Sequence, residues 1–95
     1  MSERPYRTRG VIEIFDRPGG WHYVAVPIEF SLELEELADR GLIPIRATIG
    51  DSDWDTSLLP MGDGTHFVAL SQKVRLAEGL DLDDQVALSF VPRAP

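Results

Sequence analysis

The sequence contains an internal repeat that limits how the chain can fold. Residues 20–26 read GWHYVAV and residues 64–70 read GTHFVAL, so His22 and His66 stand 44 residues apart at matching positions. Each run follows a turn that ends on glycine, and each precedes a helical pattern and a further strand. The order strand, strand, helix, strand therefore occurs twice, which predicts two equivalent ββαβ units.

Short apolar runs bounded by turn residues predict six strands. These strands are expected at 11–15, 21–26, 44–49, 54–59, 65–70 and 85–91. Ser31 and Ser71 are expected to cap two short helices, with Gly41 and Gly79 just beyond the helix ends.

The repeat also suggests how a chain of 95 residues could bury its sheet edges. One ββαβ unit has open edges and half a core, whereas two units can close six strands into a barrel. The run 23–26 is apolar on both alternating sets, which is typical of strands covered on both faces. We predict a mainly β fold, a closed six-stranded barrel with two short helices and a pseudo-twofold repeat. It would form a single domain, 1–95, with an ordered barrel at about 8–91 and halves at about 8–50 and 51–92.

Charge and composition exclude several classes of function. Sixteen acidic and nine basic residues give a net charge of -7, which opposes binding to nucleic acid or anionic membranes. Arg4, Arg7 and Arg9 form the one dense basic stretch and are interpreted as a solvated arm. The chain has no cysteine and no apolar run of the roughly 18 residues needed to span a bilayer. We expect a cytoplasmic monomer that binds no membrane.

Several segments together resemble a known family. They are Trp21, 24–27, 46–50, 56–66, 73–75 and 79–80. In order and spacing they resemble the bacterial and archaeal domain-of-unknown-function family 1905 over about residues 8–91, most specifically over 50–75. The resemblance implies a closed double-split β-barrel, similar in architecture to the swapped-hairpin barrels of AbrB- and MazE-type regulators but built from one chain. It implies no catalytic residues.

One position departs from the family pattern. The family usually has Gly-Asp before its last strand, whereas Asp83 and Asp84 stand there in this chain. Because glycine adopts a positive φ readily and other residues do not, the replacement predicts a different turn at the entry to Gln85.

The strongest candidate site lies in the second half, where polar residues interrupt apolar elements. Lys73 and Arg75 follow Ser71 at a predicted helix start, where free N–H groups could help them hold a small anion. The candidate binding residues are Trp54, Thr56, Ser57, His66, Lys73 and Arg75. The alternative is that the tryptophan packs in the core while the polar groups cap the helix and turn.

Two other patterns do not amount to sites. Asp51, Asp53 and Asp55 alternate as in a calcium loop, but the glycine and glutamate that such a loop requires are missing from their positions. His22 and His66 would make an incomplete metal site, and the alternative is that each bonds to a neighbouring turn. We therefore expect neither a metal nor a cofactor.

The chain carries no complete catalytic set, so we predict a non-catalytic binding or interaction module rather than an enzyme. Its partner would be a protein or a small anion. Two alternatives remain open: a nucleic-acid-binding regulator, by analogy with AbrB-type barrels, and a small enzyme that uses His66 with Lys73 or a carboxylate. A deep pocket that holds His66, Thr56 and Lys73 would favour a small-molecule site, and an exposed apolar surface would favour a protein partner.

Overall fold

The computed structural model describes residues 5–16 and 20–93. These residues form strands β1 (Tyr6–Val11), β2 (Glu13–Ile14), β3 (His22–Ala25), β4 (Ile43–Ile49), β5 (Ser52–Pro60), β6 (His66–Leu70) and β7 (Gln85–Pro92). The helices are α1 (Ile28–Leu34), followed by a 3-10 turn at Glu35–Leu37, and α2 (Gln72–Glu78). The strands pair antiparallel in the order β1-β7-β4-β5-β6-β3-β2 and curl into a nearly closed barrel, so the predicted mainly β barrel with two helices is confirmed.

Buried apolar residues alternate with more exposed residues along the strands, and the buried ones fill the barrel interior. Every second residue of β4 from Ile43 to Ile49 is buried, and so is every second residue of β7 from Val86 to Phe90. Successive side chains of a strand point to opposite faces, so Arg46 of β4 is left on the outer face. The core is therefore a layer of branched aliphatic and aromatic side chains inside the curled sheet.

The described residues form seven strands rather than the predicted six, because the first predicted strand, 11–15, is broken at Ile12. The Ile12 N–H donates to the Asp84 carbonyl at 2.9 Å, and the Ile12 carbonyl accepts from the Asp83 N–H at 2.9 Å. Its backbone thus leaves the ladder while its side chain stays fully buried. The chain before it pairs with β7 as β1, and the chain after it pairs with β3 as β2.

The predicted N-terminal arm is a strand over the part that the structure describes. Arg7 and Arg9 lie on β1, which pairs with β7 along its whole length, and their side chains are exposed. Tyr6 anchors the start of the strand, since its ring stacks on Phe90 with centroids 5.4 Å apart. Arg4 lies outside the described residues.

Helix α1 begins one turn earlier than predicted. It starts at Ile28, directly after Pro27, whose φ is -58°. Proline suits a helix start because its φ is preset and its missing N–H would have no partner there. Ser31 is therefore not the cap but a buried residue within the helix.

Helix α2 begins and ends as predicted. The Ser71 Oγ accepts a hydrogen bond from the Val74 N–H at 3.2 Å, and Gly79 follows the helix with a φ of 65°. Glu78, in the last turn, accepts a hydrogen bond from the Ser52 Oγ at 2.6 Å. This bond fixes α2 against the start of β5. Neither helix of the described chain is long and apolar enough to cross a membrane.

The turn before β7 retains a left-handed residue although the family's usual glycine is absent. Asp83 has a φ of 72°, so an aspartate occupies the conformation that glycine favours. The Asp84 carboxylate accepts a hydrogen bond from the Asp81 N–H at 2.8 Å, which closes the turn. The replacement of glycine has therefore not removed the positive φ from this turn.

Candidate functional site

The sheet opens between β5 and β6. In the described structure these strands pair only at Leu59 with Phe67 and at Pro60 with His66. Away from these pairs β5 continues along β4, and β6 continues along β3. The facing edges of β5 and β6 therefore separate and leave an open seam in the barrel wall.

A groove of about 390 Å³ follows this seam, and we call it the seam groove. Its lining includes Trp21, Trp54, Thr56, Leu59, Ala69 and Ser71. Trp21 is 58% exposed, whereas Trp54 is half-buried and packs against the core. The chain contains two tryptophans, so both of them lie in this one groove.

A second groove, of about 320 Å³, adjoins the first between the start of β5 and α2, and we call it the helix groove. Its lining includes Asp51, Asp53, Trp54, Ser71, Lys73 and Ala77. Trp54 and Ser71 line both grooves and form the boundary between them. An apolar wall and a mixed-charge wall therefore lie next to each other on this side of the barrel.

The structure brings three of the six predicted site residues to these grooves. Trp54 and Thr56 line the seam groove, and Lys73 lines the helix groove. The other three, Ser57, His66 and Arg75, are not among the described lining residues of either groove. The Arg75 Nε–H instead donates to the Leu70 carbonyl at 3.4 Å, which ties α2 back to the end of β6.

His66 is a buried packing residue rather than a wall of the grooves. It is 9% exposed, and its Nδ1 lies 3.0 Å from the Ser31 Oγ on α1. A hydroxyl can donate to or accept from an imidazole nitrogen, so each buried polar group has a partner. The pair joins β6 to α1. The described residues contain no group of three or more His, Asp or Glu side chains placed to hold a metal ion.

Two of the alternating aspartates, Asp53 and Asp55 of β5, form ion pairs with Arg46 on the outer face. The Arg46 guanidinium donates to Asp53 at 2.8 Å and to Asp55 at 3.0 Å. Hydrogen bonds to these two carboxylates raise the pKa of Arg46 above its ordinary value. All three groups are exposed, so the network adds little stability, but it neutralises part of the negative charge of this face.

Trp21 is the aromatic groove residue that sequence reasoning missed. It precedes β3 in the first half of the chain, whereas every residue of the predicted site lies in the second half. Its signal was a bulky aromatic residue directly after a glycine-rich turn, where a strand begins. Only the pairing of β3 with β6 brings this residue to the seam.

A family model described as a domain of unknown function, DUF1905, matches residues 9–90. A comparison with curated proteins finds no match. The matched range includes all the lining residues of the seam groove and the helix groove. The chain therefore belongs to the DUF1905 family.

Proposed function

We propose that this protein is a non-catalytic binding module whose seam groove holds an extended, basic segment of a partner protein. The observation that carries the proposal is that both tryptophans line one groove, at the point where β5 and β6 separate. Tryptophan combines a large apolar face with one N–H donor, and it is enriched among the residues that dominate binding energy at protein interfaces.

The chemistry of the groove suits a peptide. Leu59 and Ala69 provide apolar floor, while Thr56 and Ser71 provide hydroxyls that can bond to a peptide backbone. A partner side chain placed beside Trp21 would remove apolar surface from water, worth about 25 cal/mol per Å². Extended peptides commonly bind where a sheet edge is open, because the backbone gives affinity and the side-chain pockets give specificity.

Charge favours a basic partner. The molecule carries a net charge of -7, and Asp51 and Asp53 border the adjoining helix groove. Lys73 is the one cationic side chain among the described lining residues of that groove. Complementary charge speeds encounter and suppresses acidic competitors such as nucleic acid.

We further propose that the barrel is a double-split barrel made of two copies of a ββαβ unit, about 8–50 and 51–92, within a single domain. The pairing of β3 with β6 supports this, since Val24 pairs with Val68, its own counterpart at the repeat offset. A twofold axis produces such self-equivalent pairs. A barrel closed within one chain needs no second copy, so we expect a monomer.

The two proposed copies differ where the groove lies. The Phe30 ring, on α1 of the first half, packs edge-on against Tyr6 of β1 and Phe90 of β7. At the repeat offset, Phe30 corresponds to Val74 of α2, a much smaller side chain. The smaller Val74 lines the helix groove together with Trp54, which is consistent with a groove beside α2 at this position.

The test uses random heptapeptides displayed on phage and selected against the immobilised protein. Synthetic copies of the selected peptides are then titrated into ¹⁵N-labelled protein. We expect peptides with basic residues and an apolar or aromatic anchor, and shifts of both tryptophan indole N–H signals. Trp21→Ala should weaken binding at least about tenfold while the barrel stays folded, because Trp21 is mostly exposed.

Leu76→Ala is the matched control. Leu76 is 74% exposed on α2 and does not line either groove, so its loss should leave peptide affinity unchanged. The proposal fails if no peptide is selected, if the selected peptides are acidic, or if they bind Trp21→Ala as tightly as the natural protein.

A further inference from the structure

A third groove, of about 520 Å³, lies over the neighbouring strands β1, β7 and β4, and we call it the sheet groove. Its lining includes Arg7, Arg9, Thr48, Gly50, Ala87 and Ser89. It shares no described lining residue with the seam groove or the helix groove. Any ligand here would therefore bind independently of the proposed peptide.

The strand register places a cation and two hydroxyls in one row. Arg7 of β1 pairs with Ser89 of β7, and Ser89 pairs with Thr48 of β4. Directly paired residues have their side chains on the same face of a sheet. Neighbouring strands lie about 4.8 Å apart, so the row spans roughly 10 Å, a distance that one small ligand can bridge.

The two arginines present their charges together. Arg7 and Arg9 are two positions apart on β1, so their side chains share a face about 6.6 Å apart along the strand. Within the described part of the chain neither forms an ion pair, whereas Arg46 and Arg93 both contact Asp55. Like charges side by side repel each other, and an anion between them would relieve that repulsion.

The floor of the sheet groove favours close approach by an anion. Ala87 and Gly50 are small, and no described lining residue is acidic, although the whole chain carries a net charge of -7. The groove thus holds two of the nine basic residues and no acidic one among its described lining residues, while Asp53, which pairs with Thr48, and Glu78, which lies beside Gly50, are at its β4 edge.

We infer that the sheet groove binds the phosphoryl group of a small phosphorylated molecule. Arg7 and Arg9 would each donate charge-assisted hydrogen bonds, because the planar fork of the guanidinium group matches the spacing of phosphate oxygens. Ser89 and Thr48 would donate from their hydroxyls on the opposite side. A polymer such as nucleic acid would also meet the rest of a molecule whose net charge is -7, which disfavours it.

The test titrates inorganic phosphate and adenosine 5′-monophosphate into the protein, followed by calorimetry and by the arginine side-chain N–H signals in NMR. We expect the Arg7 and Arg9 signals to move. Arg7→Gln or Arg9→Gln should each lower affinity about tenfold, and the double variant should remove binding. Lys73→Gln, which removes the same charge from the anion site predicted from the sequence, should have no effect.

Ala87→Glu provides a second test because Ala87 is exposed and pairs directly with Arg9. The new carboxylate would occupy the arginines, so phosphate binding should disappear while the circular dichroism spectrum stays unchanged. Three results would overturn the inference. They are no binding of either probe at about 10 mM, loss of binding in Lys73→Gln but not in the arginine variants, and tighter arginine-dependent binding of single-stranded DNA than of the mononucleotide.

Discussion

Asp83 shows how tertiary contacts can hold a residue in a conformation that its own chemistry disfavours. Its φ of 72° is left-handed, which costs about 1–2 kcal/mol for most L-residues and less for aspartate. The Asp83 N–H donates to the Ile12 carbonyl at the break between β1 and β2. The turn is thus fixed by a partner about 70 residues away in the sequence, which the local residue pattern did not reveal.

Asp83→Gly should stabilise the protein, because glycine accepts a positive φ without the steric cost. We expect the free energy of unfolding in urea at neutral pH to rise by about 0.5–1 kcal/mol. Asp81→Gly is the matched control: it removes the same charge from the same turn at a position without positive φ, and it should lower stability. Equal losses of unfolding free energy in the two variants would show that the positive φ of Asp83 carries no strain.

At the scale of elements, the sequence predicted the strands and helix ends that neighbouring residues determine. The strand predicted at 85–91 is found as β7 at Gln85–Pro92, and the cap and end of α2 are at Ser71 and Gly79. β1 was missed because Tyr6–Val11 mixes arginine, threonine and glycine and becomes a strand only by pairing with β7.

The same distinction applies to the candidate site. Trp54 and Thr56 are two positions apart on β5, so strand alternation alone brings them to one groove, and it turns Ser57, the residue after Thr56, to the opposite face. The partner of His66 is Ser31 on the other half's helix, which no sequence spacing indicates. Contacts between the halves were therefore the part that sequence reasoning could not supply.

At Gly10, β1 lies against β3, which is not its neighbour in the sheet. A Cβ at Gly10 would sit 2.6 Å from the Val24 Cγ1, which is too close for any real contact. Gly10→Ala should therefore lower the free energy of unfolding by about 1–3 kcal/mol, measured in urea. The cost is steric and not conformational, because φ at Gly10 is not positive.

A double-mutant cycle with Val24→Ala isolates this contact. Val24 is fully buried, so Val24→Ala alone should also destabilise by leaving a cavity. It also removes the Cγ1 atom that the new methyl would meet. The double variant should therefore be destabilised by about 1 kcal/mol less than the sum of the two single variants. Simple additivity of the two losses would refute the proposed clash.

At the scale of the whole molecule, the order of the two halves should not matter if they are copies of one unit. β1 and β7 are antiparallel neighbours, with Tyr6 opposite Phe90, so the start of β1 lies near the end of β7. A chain that joins Pro95 to Ser2 and opens between Gly50 and Asp51 would read second half, then first half. It keeps every strand intact and breaks only one tight turn.

We expect this permuted protein to fold into the same barrel, with a cooperative thermal transition and two dispersed indole N–H signals. A permuted chain opened between Ala47 and Thr48 is the control, because that cut divides β4, which pairs with strands on both sides. It should not fold, since neither fragment of β4 would be held in the ladder. If neither permuted chain folds, the halves depend on their natural order, and the proposed equivalence of the two ββαβ units is wrong.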